Sequence, residues 1–270
     1  MNIQYLCTRW GSDGLPPAEF IGRVRDAGYD GVEIALADDD PAADEVLRLA
    51  AAEGMTIVAM HYVTQHADPA VHCREFAIRL RRATSFRPAF INSHTGRDFF
   101  NLPQNLEVFG VAAALAEETG VPVYHETHRG RCLHAPWRAA EVLAERPDTR
   151  LVLDVSHWCT VSESLLEDQE DVLASLFPAV RHIHARVGHA QAPQVSDPRA
   201  PEWEPALQAH LRWWDLVVSA RRAAGAKTLT ITPEFGPPPY LPVLPWSQQP
   251  VGAQWEFNLH MMQLLRARYA

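Results

Sequence analysis

Histidine and carboxylate side chains recur at the ends of short apolar segments in this sequence. The chain has 13 histidines, and several lie close in sequence to a glutamate or an aspartate. Polar residues end seven apolar segments, at Glu33, His61, 92–94, 125–128, 154–157, 182–184 and 232–234. Carboxylates and imidazoles are costly in a protein interior unless they are paired or bound to a cation. Their recurrence therefore indicates one shared polar site.

The last four of these segments each supply a glutamate, an aspartate or a histidine. A set of three carboxylates and one imidazole suits one divalent ion that accepts both oxygen and nitrogen ligands, such as Mn²⁺, Mg²⁺, Co²⁺ or Zn²⁺. A cysteine-free set is unlike a structural zinc site. Open coordination positions would let the carbonyl and hydroxyl oxygens of a substrate bind the metal and be polarised.

A repeated pattern predicts the elements that position these residues. An amphipathic segment ends at a glycine and an apolar run follows, at Gly28, Gly54, Gly120 and Gly225. Glycine just past a helix accepts the left-handed conformation, so each pattern predicts a helix followed by a strand. With the opening run and three proline-marked junctions, the chain has about eight such units, typical of a (β/α)₈ barrel. We expect an α/β fold with a single domain over residues 1–270. No Gly-rich nucleotide-binding motif is present, which removes a common reason to expect an open sheet instead of a closed barrel.

Composition excludes several classes of protein. Hydrophobic residues make up 47% of the 270 residues and charged residues 21%, which are ordinary globular values. The net charge of −9 argues against a nucleic-acid partner, and no apolar run reaches the roughly 20 residues of a membrane span. No secretory signal is visible at the start, and the four separated cysteines suit reduced thiols. We therefore expect a cytoplasmic protein with no membrane partner.

Several motifs together resemble the xylose-isomerase-like TIM-barrel superfamily of sugar phosphate isomerases and epimerases. They are Gly31-Val32-Glu33-Ile34, Glu126, Asp154-x-x-His157, His182-x-His184 and Glu234. The resemblance implies that one divalent metal is held by Glu126, Asp154, His184 and Glu234. It also implies that Glu126 and Glu234 act as the acid/base pair, and that His157 lies beside the metal as a further catalytic residue. The run 185–189 departs from the Lys-Asp or Glu-x-Asp-Arg element of many relatives, which affects substrate recognition.

Other residues near strand ends are candidates for substrate binding, and the residues chosen for that role are His61, His94, His128 and Arg186. Arg129 and Arg131 also follow a strand end, where an arginine can bind a phosphate or carboxylate or form a surface salt bridge. His182 and His125 are expected to face the helices instead. The long loops 186–201 and 235–250 are predicted to form the pocket walls, with Trp10 and Trp246 as an apolar surface.

The combined interpretation is a metal-dependent isomerase or epimerase acting on a small sugar or sugar acid. The metal would bind a carbonyl oxygen and the neighbouring hydroxyl, one glutamate would remove the proton between them, and the other would return one through an enediolate. A dehydratase acting on a cyclitol or sugar acid is the close alternative. An endonuclease IV-type enzyme and a non-catalytic sugar-binding barrel are further alternatives. A small carbohydrate is the expected partner, and a homodimer is left open.

Overall fold

Eight parallel strands close into a barrel in which each strand pairs with the next and β1 pairs with β8. The computed structural model describes residues 1–37 and 40–270. The strands are β1 (Asn2–Thr8), β2 (Gly31–Ala35), β3 (Thr56–His61), β4 (Phe90–Ser93), β5 (Val123–Glu126), β6 (Leu151–Leu153), β7 (Val180–His184) and β8 (Thr228–Thr232). Each of the eight predicted strands is present. The prediction of a single (β/α)₈ barrel is confirmed.

Helices connect the strands and cover the outside of the barrel. They are α1 (Pro17–Asp26), α2 (Pro41–Ala52), α3 (Pro69–Ser85), α4 (Leu102–Thr119), α5 (Pro136–Glu145), α6 (Val155–Val161), α7 (Glu170–Leu176), α8 (Glu204–Ala223) and α9 (Gln254–Tyr269). Proline stands in the first turn of six of them, where its missing N–H leaves no hydrogen bond unmade. No helix in the described ranges is long and apolar enough to cross a membrane.

The glycine signals for helix ends are confirmed by the backbone. Gly28, Gly54, Gly120 and Gly225 have φ values of 80°, 69°, 71° and 68°. These values lie in the left-handed region, where a side chain would meet the following carbonyl oxygen. The chain therefore turns sharply at each glycine into the next strand, which fixes where that strand begins.

The inside of the barrel is divided into an apolar layer and a polar layer. Leu6, Val58, Phe90 and Val152 form a buried cluster of their own, against which Tyr124 packs. Two residues beyond Phe90, Tyr124 and Val152 come the buried polar residues Asn92, Glu126 and Asp154, and Glu33 is buried at the same end of β2. Because alternate residues of a strand face the same side, the apolar layer supports the polar layer directly above it.

Strand β7 contains a β-bulge opposite β6. Leu151 pairs with Val180 but Val152 pairs with His182, so Arg181 is an extra residue on β7. The bulge leaves Val180 in the outer core and turns both His182 and His184 into the barrel. The expectation that His182 faces the helices is therefore wrong, because residues two apart on a strand share one face.

Candidate active site

The four residues proposed as metal ligands lie together at the C-terminal end of the barrel. Glu126 and His184 are the last residues of β5 and β7, Asp154 directly follows β6, and Glu234 lies two residues beyond β8. Each offers one ligand atom, and these four atoms all lie within 4.8 Å of one another. All four residues are buried. Adjacent strands of a parallel barrel end on one face, which is why residues far apart in sequence meet here.

His184 is held in one orientation by Glu33. Its Nε2 lies 3.0 Å and 3.1 Å from the two carboxylate oxygens of Glu33. Its Nδ1 then faces the ligand cluster, 3.0 Å from Glu234 Oε2 and 3.6 Å from Glu126 Oε1. A carboxylate on the far nitrogen of an imidazole fixes its tautomer and directs the free lone pair of the other nitrogen.

The unpaired atoms of the cluster fit a bound cation. Glu126 Oε1 is buried without a hydrogen-bond partner, and His184 Nδ1 makes no well-aligned hydrogen bond although it lies 3.0 Å from Glu234 Oε2. Buried polar atoms are nearly always paired, so the convergence of these atoms indicates a place for positive charge, supplied by a bound cation or by a proton on His184. Asp154 is engaged more fully, because its Oδ1 accepts from the Ser156 backbone N–H and its Oδ2 contacts Arg186. The residues therefore suit a divalent ion, with Asp154 shared between that ion and Arg186.

Two further groups of side chains are close enough to share an ion. They are Glu33, His182 and His184, and His94, Glu126 and His128. In the first group the carboxylate is already hydrogen-bonded to both histidines and to the Thr232 hydroxyl. That group consequently forms a closed network that positions His184.

Burial and neighbouring charges separate the pKa values of the cluster. Burial alone would lower the pKa of His184, but Glu234, Glu33 and Glu126 outweigh it and raise that pKa well above its ordinary value. Burial would raise the pKa of Glu126, yet His94 and His184 hold it well below the usual range. Burial raises the pKa of Glu234 against the opposing charges of His184 and Arg186. Without a metal, the raised pKa means that His184 is protonated, and its positive charge compensates the three carboxylates around the ring.

Arg186 is the main cation of the site and is almost fully buried. Its Nη2 contacts Asp154 Oδ2 and lies 3.6 Å from Glu234 Oε2. Its guanidinium lies 4.8 Å from the centre of the Tyr240 ring, close enough for a cation–π contact. Burial would lower the pKa of Arg186, but Asp154 and Glu234 raise it above its ordinary value. Arg186 therefore balances part of the negative charge of the cluster.

Three imidazoles lie in a row beside Glu126, with their rings tilted against one another. His94 Nε2 lies 3.0 Å from Glu126 Oε2, the rings of His94 and His128 are 4.2 Å apart, and those of His128 and His157 are 3.8 Å apart. His157 Nε2 in turn lies 2.9 Å from Arg186 Nη2. Burial lowers the pKa of both His128 and His157 well below the ordinary value. These two rings are consequently neutral near pH 7.

A cavity of about 410 Å³ opens above the cluster. Its lining residues are Thr8, Trp10, Asp13, Ala35, Met60, Tyr62, Gln65, His94, Glu126, His128, Arg131, Arg186, Glu234 and Tyr240. Three of the four residues selected for substrate binding, His94, His128 and Arg186, therefore face it. Both candidate acid/base residues, Glu126 and Glu234, face it as well. A cavity of this size suits a small molecule.

Two of the selected residues lie outside the cavity lining. His61 is buried behind it, with Nε2 2.8 Å from Thr64 Oγ1 and its ring against Phe76. His157 is fully buried beneath the ring of His128. The expectation that His61 contacts substrate is not supported, because its ring is taken up by packing within β3 and α3. His157 is placed to orient Arg186.

The long loops contribute less than their length predicts. Arg186 is the only lining residue from 186–201, and Tyr240 is the only one from 235–250. Trp10 lines the cavity as expected and meets Tyr240 edge to face, with ring centres 4.9 Å apart. Trp246 is 96% exposed and does not line it. The expected role of Trp246 is therefore wrong, because 241–250 turns outward into a short hairpin.

Asn92, to which the sequence assigns no role, links two carboxylates of the site. Asn92 donates from Nδ2 to Glu33 Oε1 and to Glu126 Oε2, at 2.9 Å and 2.7 Å, and so links the two carboxylates. Asn92 lies two residues before His94, so the alternation of side chains along a strand predicts that both face the inside of the barrel. His125 faces the helices as predicted, where it lines a separate cavity of about 290 Å³ beside Phe109.

The fold and the cluster together define a class of protein, a single (β/α)₈ barrel with a buried carboxylate–histidine centre beneath an open cavity. The sequence matches the family model described as "Xylose isomerase-like TIM barrel" over residues 21–235. The chain belongs to this family, as its motifs suggested. No curated protein matches the sequence significantly.

Solved structures with the same barrel span nearly the whole chain at low identity. The 3-keto-D-glucoside 4-epimerase YcjR from E. coli is 12% identical, with a TM-score of 0.65, and 98% of this chain and 100% of that chain are covered. The probable 3-DHS dehydratase AsbF from Bacillus anthracis is 14% identical, with a TM-score of 0.62 and coverage of 98% and 99%. A probable 2-pyrone-4,6-dicarboxylic acid hydrolase from Acinetobacter baumannii is 10% identical, with a TM-score of 0.52 and coverage of 98% and 92%. Identities this low show a shared fold alone.

Proposed function

We propose that this protein is a metal-dependent isomerase or epimerase of a small sugar or sugar acid. The observation that carries the proposal is the position of Glu126 and Glu234, which both face the cavity and both approach His184 Nδ1. Two carboxylates beside a metal-ligating nitrogen can supply the base, the acid and the charge stabilisation for proton transfer at a carbon next to a carbonyl. The family match and the solved epimerase and dehydratase structures with this fold are consistent with such chemistry.

The residues of the chain take distinct parts in this proposal. Glu126, His184 and Glu234, with Asp154, would hold the divalent ion, which supplies polarisation of a carbonyl oxygen and its neighbouring hydroxyl. Glu126 takes the proton from the substrate carbon, and His94 lies against its Oε2. Glu234 returns a proton, and Arg186 lies beside its Oε2.

The side chains that line the cavity support a small polyhydroxy substrate. The walls combine aromatic surfaces, from Trp10 and Tyr240, with imidazoles from His94 and His128. Aromatic faces suit the C–H surface of a sugar, and imidazoles hydrogen-bond its hydroxyls. The net charge of −9 supports a small molecule over a nucleic acid as the partner.

Metal analysis and isotope exchange test the proposal. The purified protein is stripped with a chelator, reconstituted separately with Mn²⁺, Mg²⁺, Co²⁺ and Zn²⁺, and its bound metal is quantified. The loaded protein is then incubated in D₂O with keto-sugars and sugar acids. We expect about one ion per chain and deuterium incorporation at one substrate carbon without loss of water. A product lighter by one water would identify a dehydratase instead, and failure to bind any metal would refute the proposal.

A further inference from the structure

Arg131 is a buried cation that faces the cavity without a carboxylate partner. Its side chain lies just after β5, is 6% exposed and lines the same cavity as Glu126. Nη1 donates to the Thr64 carbonyl oxygen at 2.6 Å and Nη2 donates to the Tyr62 carbonyl oxygen at 2.5 Å. These bonds hold the guanidinium in place but give it no ion-pair partner. Within residues 1–37 and 40–270, no carboxylate oxygen lies within 4.0 Å of it.

A second arginine reinforces the positive charge at this side of the cavity. Arg97 donates from Nη1 to the Gln65 carbonyl oxygen at 2.6 Å, so both guanidiniums are anchored to the segment 62–65. Burial and the nearby charge of Arg97 lower the pKa of Arg131 to about 10, against the opposing effect of the Glu126 and Asp98 carboxylates. Arg131 thus remains protonated at neutral pH despite this repulsion. The Nε of Arg97 is also buried without a hydrogen-bond partner.

Arg131 differs in this respect from Arg186. The charge of Arg186 is paired with Asp154 and Glu234, whereas the hydrogen bonds of Arg131 go to neutral carbonyl oxygens and the carboxylates of Glu126 and Asp98 act on it only from beyond ion-pair distance. A buried charge without an ion pair is costly, and an anionic ligand in the cavity would supply the missing partner. A guanidinium has five N–H groups in a planar fork that suits carboxylate and phosphate oxygens, and at Arg131 two of them are used by the Thr64 and Tyr62 carbonyl oxygens.

We infer that Arg131, with Arg97 behind it, forms an anion-binding subsite of this cavity, so that the substrate carries a carboxylate or phosphate group. The inference rests on the proposed function in taking this cavity as the substrate site, and it narrows the substrate class to an acidic sugar derivative. The anionic group lies on the β3–β5 side, and the polyhydroxy chain extends from there over Glu126 toward Glu234.

Calorimetric titration with three matched probes tests the subsite in both the Mn²⁺-loaded and the metal-free protein. The probes are D-gluconate, D-glucose 6-phosphate and the neutral D-sorbitol. We expect at least one anionic probe to bind about tenfold or more tightly than sorbitol, since one charge-assisted hydrogen bond contributes on this scale. Comparison of the dissociation constants of D-gluconate and D-glucose 6-phosphate shows whether the subsite prefers a carboxylate or a phosphate. Equal affinity for all three probes would overturn the inference.

Substitutions locate the effect at Arg131. R131Q should remove the preference for the anion while leaving Mn²⁺ affinity unchanged, and R131K should keep part of it because the charge remains. The matched control is R212Q, which removes an exposed arginine of α8. If R131Q does not fold, R97Q should still raise the dissociation constant of the anion by about threefold. An unchanged anion affinity in folded R131Q, or in R97Q where R131Q cannot be made, contradicts the subsite. Anion binding that depends on Arg131 without any Mn²⁺ binding would instead support the subsite and refute the proposed metal chemistry.

Discussion

Glu33 holds His184 with both carboxylate oxygens, at 3.0 Å and 3.1 Å from Nε2, and this aims Nδ1 at Glu126 and Glu234. Burial would raise the pKa of Glu33, but His184 and His182 keep it well below the ordinary value. Glu33 is therefore a charged acceptor that orients the imidazole. The site depends on this residue even though it lies outside the proposed ligand set.

We expect Glu33→Gln to weaken Mn²⁺ binding by about 10–100-fold, because the amide cannot accept from His184 as strongly as the carboxylate does. Titration of the metal-stripped variant measures the dissociation constant, and a thermal melt checks that the variant is folded. Glu53→Gln, at an exposed position after α2, is the control. Unchanged Mn²⁺ affinity in folded Glu33→Gln would show that His184 needs no such partner.

Replacement of either candidate acid/base residue should separate metal binding from turnover. Glu126→Gln and Glu234→Gln each keep one coordinating oxygen, so Mn²⁺ affinity should fall only moderately. Turnover of a substrate found in the isotope screen should fall by about 10²–10⁴-fold, the usual contribution of a positioned acid or base. If Glu234→Gln still exchanges deuterium without forming product, Glu126 is the base. Near-normal turnover in both variants would disprove the two-glutamate mechanism.

Removal of Arg186 should destabilise the protein most when metal is absent. Arg186→Met leaves Asp154 buried without its cation, which costs about 3–5 kcal/mol in the free energy of unfolding. Urea denaturation of the chelator-treated protein measures this loss. Added Mn²⁺ should restore more stability to the variant than to the wild type, because the ion replaces part of the missing charge.

The control for Arg186→Met is Arg199→Met, which breaks an exposed pair with Asp197. That change should cost no more than about 1 kcal/mol. Equal losses in the two variants would mean that Arg186 does not compensate the buried carboxylates.

The loop after β8 should matter at Tyr240 and not at Trp246. Tyr240→Ala removes the ring that packs on Arg186 and Trp10, so it should raise KM and alter substrate preference. Trp246→Ala removes a side chain that is 96% exposed and should change the free energy of unfolding by no more than about 0.5 kcal/mol. Steady-state kinetics on both variants compares them. A larger kinetic effect at Trp246 would place the hairpin 241–250 over the cavity in solution.

Stability should fall on acidification because of a buried histidine outside the ligand cluster. His210 of α8 accepts from the Gly188 N–H through Nε2, and burial lowers its pKa to about 4. In the unfolded chain the imidazole binds a proton below its ordinary pKa of about 6.5. The unfolded state therefore binds more protons between these values, and the stabilisation present above pH 6.5 is lost as the pH falls toward 4.

The shift at His210 corresponds to roughly 3 kcal/mol at most. Urea denaturation at several pH values between 7 and 4 should show a shallower pH dependence in His210→Gln than in the wild type. Parallel curves for the two proteins would count against this role of His210.

Much of the barrel could be predicted because its signals are local. A glycine that must take positive φ after a helix, as at Gly120, marks the start of a strand without knowledge of the rest of the fold. The parallel arrangement then brings the ends of the strands to one face, so Glu126 and Glu234 could be expected to meet. The inward position of His182 follows from its spacing to His184, because residues two apart on a strand share one face.

The remaining features depend on contacts between distant segments. Arg131 is held by the carbonyl oxygens of Tyr62 and Thr64, and no sequence pattern distinguishes it from an arginine in a surface salt bridge. The path of 241–250 depends on tertiary packing, which is why Trp246 was expected at the mouth and lies outside. Only the folded protein shows which arginine is neutralised and which remains free to bind an anion.

The bulge at Arg181 makes the length of β7 adjustable. Because Leu151 pairs with Val180 and Val152 pairs with His182, deletion of Arg181 would leave a regular ladder, with every later pair unchanged. His184 would stay aligned with Thr232 and keep its place in the barrel. An ordinary one-residue deletion in a strand turns the whole downstream segment over. Deletion of Arg181 would therefore shorten β7 while His184, which faces Glu126 and Glu234, keeps its position.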